Sequence, residues 1–378
     1  MLQNTANNTT LEQVQADYHE LDVPGFVIPN GIRLISHEQI AGAPELHSEY
    51  IAPNLWAKIF RNGSQLFCLF YAFQLFFATK KSCVLIVNGS GYSIWLYLGL
   101  LNMIPFFRKR TMLLWDSFLE FTLGTEKRLK FFPLVRFKTR WKEAIARQSL
   151  SGYDLISVWS KKQVASHANH YRLPEQKFIF LPYKSNHSNP TYCPQDTLCS
   201  ISLGRFVFAG GNSKRDYKCL VDAVRGTDIP VIISATDPAV RKEIDFLPNV
   251  IVLGAPEPAF GQLQAASLFT VVPMKHSGLR GGGETNVCNA MWHGKPPIAC
   301  CSIAAEDYII EGETGFIIPP GDSEQLRKRI LELWNNPERV SEMGKKAKIH
   351  VEKYLTHEKL IRRLLRLALL LGDAKYKK

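Results

Sequence analysis

At 378 residues, with 46% hydrophobic and 21% charged side chains, the chain is too long for one ordinary domain and too apolar to be disordered. Lys and Arg outnumber Asp and Glu by 46 to 34, a net charge of +12, which points to an anionic partner such as a phosphorylated substrate, a membrane surface or a nucleic acid. No apolar run reaches the roughly 20 residues of a spanning helix, and the eight cysteines form no CxxC pair or zinc pattern. The polar start MLQNTANNTTLEQ carries no cleavable signal, so the expectation is a cytoplasmic protein with reduced, structural thiols.

Residues 1–20 read as a loose arm, followed by short strands at 25–28 and 32–35 divided by Pro29-Asn30-Gly31. The run 66–78 (LFCLFYAFQLFFA) is apolar nearly all round and suits a buried helix under a sheet. CVLIVNGSG (83–91) is a buried parallel strand ending in a glycine turn, 92–104 is another buried helix, and TMLLWDSF (111–118) is a strand ending at Asp116 and Ser117. Between Arg108 and Arg147 there are eleven Lys/Arg and four Asp/Glu, interleaved with aromatic residues. This segment is either a solvated basic face or a surface for anionic lipid headgroups. Nucleic acid is not expected, because no binding motif accompanies the charge. Residues 153–182 read as strand, helix and strand, with His167 and His170 as ordinary surface histidines. The polar, proline-containing stretch 184–200 is the best domain boundary in the chain.

The second half alternates strand and helix: a strand at 204–211 into Gly210-Gly211, a helix at 216–224, strands at 230–236 and 249–254, and a helix at 258–266. Next comes VVPMKHSGLRGGGETNVCNAMWHGKPPIA (271–299), in which a strand runs into a glycine cluster and a helix opens at Glu284-Thr285-Asn286, stopping at Gly294. That order presents unpaired backbone N–H groups to an anion, although a βα turn without a ligand has the same appearance. A short hairpin-like or strand segment (309–322) and helices at 323–336, 338–354 and 357–371 close the chain, the first capped by Asp322 or Ser323. This rhythm predicts an α/β fold with two Rossmann-like doubly wound domains facing across a cleft. The expected division is 1–187, 188–355, and a helix at 356–378 returning to the first domain. GSGYSIW (89–95) departs from the dinucleotide fingerprint at Ile94, which weakens a dehydrogenase reading.

Three segments of the second half resemble the nucleotide-sugar-binding domain of GT-B glycosyltransferases of the group 1, glycogen-synthase-like kind. They are FVFAGGNSKRDYKCLVDA (206–223), NVIVLGAPEPAFGQLQAASLFTVVP (249–273), and GGGETNVCNAMWHGKPPIA with GETGFIIPPGD (312–322). The resemblance covers roughly 200–370 and implies transfer of a sugar from a nucleoside diphosphate donor to an acceptor hydroxyl, lipid-linked or amphipathic, bound by the first domain. The alternative is a catalytically silent GT-B scaffold.

In that frame Lys214 and Arg215 offset diphosphate charge, and the N–H groups of Thr285 and Asn286 hold the distal phosphate. Gly210, Gly211, Asn212, Asp216 and Gly283 line the donor loops. Many members carry two glutamates separated by seven residues, where this chain has Gly281 and Asn289. Asn289 still offers hydrogen bonds to ribose hydroxyls. Glu284 either faces the donor sugar or complements the helix dipole. Asp116 either activates the acceptor or caps a helix. His276 and His293, which flank the loop, read as packed or solvated side chains. No Asp-x-Asp pair occurs, so neither a metal nor a cofactor beyond the nucleotide-sugar co-substrate is implied.

Overall fold

The structure, a computed structural model, describes residues 10–22, 32–36, 40, 48–59, 65–79, 83–89, 93–107, 109–115, 135–189, 192, 204–242, 244–275, 282–300 and 304–376. The chain folds as two compact units, residues 1–181 with 361–378, and residues 182–360.

The first unit holds a six-stranded parallel sheet in the order β2-β1-β3-β4-β5-β6. Its strands are β1 (Arg33–Ser36), β2 (Glu49–Tyr50), β3 (Cys83–Asn88), β4 (Thr111–Trp115), β5 (Leu155–Val158) and β6 (Phe178–Phe180). Every residue of β3, β4, β5 and β6 is buried, as expected of parallel strands covered on both faces. The helices are α1 (Leu11–Ala16), α2 (Leu55–Lys58), α3 (Gln65–Ala78), α4 (Ile94–Asn102), α5 (Val135–Ser151) and α6 (Lys161–Tyr171). The expected strand at 25–28 lies outside the described residues. The long apolar run forms α3, but only one face of it is buried. Phe67, Cys68, Tyr71, Ala72, Leu75 and Phe76 enter the core, whereas Leu66 and Phe77 are 51% and 54% exposed.

The second unit repeats the plan with β7 (Val207–Gly210), β8 (Val231–Ser234), β9 (Val250–Leu253), β10 (Phe269–Val272), β11 (Pro297–Cys300) and β12 (Phe316–Ile318). All pairs are parallel, in the order β12-β11-β10-β7-β8-β9. From β7 the chain steps outward to β8 and β9, then returns to β10 on the other side of β7. That reversal is a topological switch point, where open α/β sheets bind ligands beyond the carboxyl ends of the strands. The helices here are α7 (Tyr217–Val224), α8 (Pro238–Arg241), α9 (Ala259–Ala266), α10 (Glu284–Trp292), α11 (Ser323–Trp334) and α12 (Pro337–Tyr354). Asp322 caps α11 by accepting from the Gln325 N–H. The segment before α11 makes no hairpin. The turn around Gly312 (φ +75°) closes with the Gly312 N–H on the Gly315 carbonyl, and β12 then runs parallel to β11.

The last helix, α13 (His357–Tyr376), carries the chain from the second unit into the first. Its buried Arg363 donates through Nε to both Asp22 oxygens (3.0 and 3.1 Å), and Arg366 donates to the Leu21 carbonyl. The Tyr376 hydroxyl bonds the Cys83 carbonyl and Thr111 Oγ1 at 2.9 and 2.8 Å. These bonds tie the helix to the N-terminal segment and to the starts of β3 and β4. At its other end the first unit stops a few residues before the polar stretch suggests, because residues 183–187 are bonded into the second unit. The Tyr183 N–H donates to the Tyr308 hydroxyl, and the Ser185 hydroxyl and Asn186 N–H both donate to Asn289.

Candidate functional site

At the switch point of the second unit, β7 ends in Gly210 and β10 runs through Pro273 and Met274 toward the glycine loop. Arg215 lies between them. Its backbone bridges Met274, its Nε donates to the Gly210 carbonyl (2.9 Å) and its Nη1 donates to the Ser213 carbonyl (3.0 Å). The guanidinium is buried, and burial pushes its pKa down, with the charge of Glu284 among the influences opposing that. A cation kept inside the protein at a desolvation cost needs a reason beyond packing.

The glycines here are fitted to their neighbours. A Cβ at Gly210 would lie 2.3 Å from the Phe260 ring, and one at Gly211 (φ +106°) would lie 2.8 Å from Arg215 Nη2. The Gly211 carbonyl accepts from the Tyr217 hydroxyl at 2.5 Å, and burial raises that phenol to about 12. Lys214 is half-buried and sits at φ +52°, the left-handed region, with its carbonyl accepting from the Lys275 N–H.

Opposite this loop, α10 begins at Gly283 (φ +89°) with no side-chain cap. By contrast α7, α8, α11 and α12 are capped by Asp216, Asp237, Asp322 and Asn336. The first-turn N–H groups of α10 therefore carry the positive end of the helix dipole without a capping oxygen. Asn286 donates through Nδ2 to the Gly210 carbonyl (2.8 Å) and accepts on its own carbonyl from Gln264 (3.1 Å), so β7, α9 and α10 are bolted together. Thr285 is half-buried beside it.

The structure thus brings Gly210, Gly211, Lys214, Arg215, Gly283, Thr285 and Asn286 to one place. Other residues that the sequence grouped with them have identified structural partners. Asp216 caps α7 by accepting from Cys219 N (3.1 Å), and Asn212 bonds Thr236 Oγ1 and the Asp237 N–H. Glu284 is 4% exposed and lines a small, mostly apolar cavity with Met274, Val287 and Tyr308. Asn289, 2% exposed, faces the segment 185–187 rather than the glycine loops. Asp116, Gly281 and His276 lie outside the described residues.

Comparison with known proteins fits this geometry. The family model for glycosyl transferases group 1 matches residues 206–336. The match lies wholly within the second unit. Within curated proteins, the chain is 33% identical over 165 residues to a D-rhamnosyltransferase, WbpZ, of Pseudomonas aeruginosa, a match covering 40% of this chain and 41% of that protein. The chain thus spans less than half the length of that relative. Solved structures extend the fold likeness to both units. A Rickettsia africae glycosyltransferase has a TM-score of 0.59 at 12% identity, covering 87% of this chain and 86% of that one. WaaG, a glycosyltransferase involved in lipopolysaccharide biosynthesis, has a TM-score of 0.54 at 13% identity, covering 92% and 91%. Anabaena HepE, solved with UDP-glucose, has a TM-score of 0.57 at 12% identity, covering 84% of each chain. The fold is a two-domain GT-B architecture.

The second unit also contains a polar cluster that sequence spacing does not reveal. His187 stacks on Tyr192 (centroids 4.1 Å), with Nδ1 2.8 Å from His293 Nε2 and Nε2 3.1 Å from Glu257 Oε1. Burial works to raise the Glu257 carboxyl, but bonds from His187, the Gly261 N–H and Tyr192 outweigh it and hold it below its ordinary value. Burial, then the His187 charge, lowers His293 to about 4, and burial lowers His167 of the first unit to about 4 as well. Both are neutral in the fold where an unfolded histidine, with a pKa near 6.5, takes a proton. Their stabilisation is therefore complete above about pH 6.5 and is lost as pH falls toward 4, on the order of 2 kcal/mol each. We predict that the unfolding midpoint drops across that window and that His167→Leu reduces the drop. A midpoint flat from pH 6.5 to 4.5 contradicts this assignment.

Proposed function

We propose that the protein is a nucleotide-sugar-dependent glycosyltransferase, moving a sugar from a nucleoside diphosphate donor to an acceptor hydroxyl. The observation that carries this reading is the uncapped α10 N-terminus facing the Gly210–Arg215 loop at a sheet switch point, inside the stretch that matches the family model. A departing diphosphate develops negative charge on its bridging oxygen, and preorganised donors aimed there lower the barrier. In this reading Lys214 and the first-turn N–H groups of Thr285 and Asn286 receive the phosphates. Arg215 holds the loop carbonyls and adds positive potential from within. Asp216 and Asn212 fix the loop's far ends, and Gly210, Gly211 and Gly283 let backbone approach the donor. Glu284 balances Arg215, and Asp116 accepts the proton of the acceptor hydroxyl. Charge neutralisation by these groups needs no divalent metal.

The basic segment 108–147 motivates a lipid-linked or small amphipathic acceptor, with the protein at the cytoplasmic face of an anionic membrane. No helix among the described residues is long and apolar enough to cross a membrane. One observation favours a catalytically silent scaffold, namely that Asn289 is used up as an internal anchor. Release of nucleoside diphosphate from donor, without metal and across amphipathic acceptors, separates the two. Turnover supports the enzyme, and donor binding without release supports the scaffold.

A further inference from the structure

The exposed face of α3 has no role in the donor site. Leu66, Phe70, Phe73 and Phe77 recur at helical spacing and form one apolar stripe, 51, 39, 36 and 54% exposed. The stripe continues onto neighbours. Phe77 packs edge-on against Phe107 (5.4 Å), next to Phe106, which is 95% exposed. On the other side stands α2, tied to α3 where the Asn54 N–H donates to Gln74 Oε1 and Gln74 Nε2 donates to the Ala52 carbonyl. It contributes Leu55 and Ile59, 76 and 63% exposed. A contiguous apolar patch of this kind on a folded protein marks an interaction surface.

The charge pattern says what covers it. From Tyr50 to Trp115 the sequence contains seven Lys/Arg and no Asp or Glu. Lys58 on α2 and Lys109 after α4 are exposed, and Arg110 lies over the Phe76 ring at 5.0 Å while donating to the Phe76 carbonyl. An apolar stripe within a segment that carries cations and no carboxylate is complementary to a bilayer interface with anionic headgroups, where aromatic rings enter the acyl boundary and long basic side chains reach phosphate. A second copy of the chain would bring like charges together across a two-fold axis, which disfavours that occupant.

We propose that α3, with α2 and the Phe106–Phe107 turn, is the surface by which the first unit docks on an anionic membrane. This deepens the reading of a protein working at a membrane, and moves its contact from the basic segment 108–147 to an apolar helix face.

The test is co-sedimentation of the full chain with phosphatidylcholine vesicles, with and without phosphatidylglycerol. The wild type is expected to pellet with the anionic vesicles. Phe77→Ser/Phe106→Ser should weaken partitioning by at least about tenfold, and Lys58→Gln/Lys109→Gln should weaken it chiefly at low salt. Phe106→Ser alone, at a position 95% exposed, guards against loss of folding. Wild type left in the supernatant with both vesicles, or a double serine variant that binds equally well, overturns the proposal. A dimer in light scattering that Phe77→Ser/Phe106→Ser dissolves, without vesicle binding, also overturns it in favour of a second copy. Donor binding is read separately, so failure here leaves the transfer reading standing.

Discussion

Arg215→Ala is expected to abolish donor-dependent stabilisation and to lower turnover by at least about a hundredfold, and to lower the unfolding midpoint without donor as well. Both effects follow from where the guanidinium sits. It is buried, with Nε and Nη1 on the Gly210 and Ser213 carbonyls. Removing it forfeits those bonds, each worth about 1.5–3 kcal/mol when a charged donor is involved, and leaves the two carbonyls and the buried Glu284 without their cation, a loss that the relieved burial of the guanidinium offsets only in part. What is lost without compensation is the loop shape and the positive potential beneath the proposed phosphate site, worth on the order of 3 kcal/mol in a transition state. Arg215→Lys keeps the charge but cannot span both carbonyls, so an intermediate defect is expected. Donor affinity and turnover unchanged in Arg215→Ala would remove this residue from the mechanism.

Asn289→Ala has a different signature. Asn289 Oδ1 accepts from the Ser185 hydroxyl (2.9 Å) and the Asn186 N–H (2.8 Å), and its Nδ2 lies 3.2 Å from His187 Nε2. Truncation leaves the Ser185 hydroxyl and the Asn186 N–H without their acceptor next to a cavity, an expected loss of about 2–4 kcal/mol. The donor response, scaled to the lower midpoint, should persist. Calorimetry with and without donor checks both parts. A variant of native stability that no longer responds to donor would show that Asn289 faces the sugar nucleotide, as its place in the family pattern implies.

Much of this was legible in the chain because its signals are local. Parallel strands buried on both faces read as continuous apolar runs, as in CVLIVN and VIIS, and the glycine cluster before Glu284 announces a helix opening without a side-chain cap. The cap of α11 was legible as Asp322 or Ser323, and the fold gives the place to Asp322. The roles of Asp216 and Asn289 were not, because a capping Asp or an internal Asn looks the same in sequence as a ligand-facing one, and only the partners differ. The same holds for Glu284, whose burial depends on the cavity made by Met274, Val287 and Tyr308. The half-exposed state of α3 also escaped the pattern. A helix apolar on all sides reads as buried, and periodicity carries no sign of a face left open. His187 and Glu257 are far apart in sequence and meet only through the fold, so their cluster had no spacing to betray it.

Donor binding at the Gly210–Arg215 loop is read by thermal shift against UDP-, GDP- and ADP-sugars, without metal and then with magnesium, on the wild type and on Lys214→Ala/Arg215→Ala. Selective stabilisation of the wild type by one base is expected, independent of magnesium and absent in the double variant. At a hundredfold excess of donor over its dissociation constant the gain is about 2.7 kcal/mol. Stabilisation by none of the donors, in folded wild-type protein, would contradict donor binding there, as would a response that the double variant retains in full.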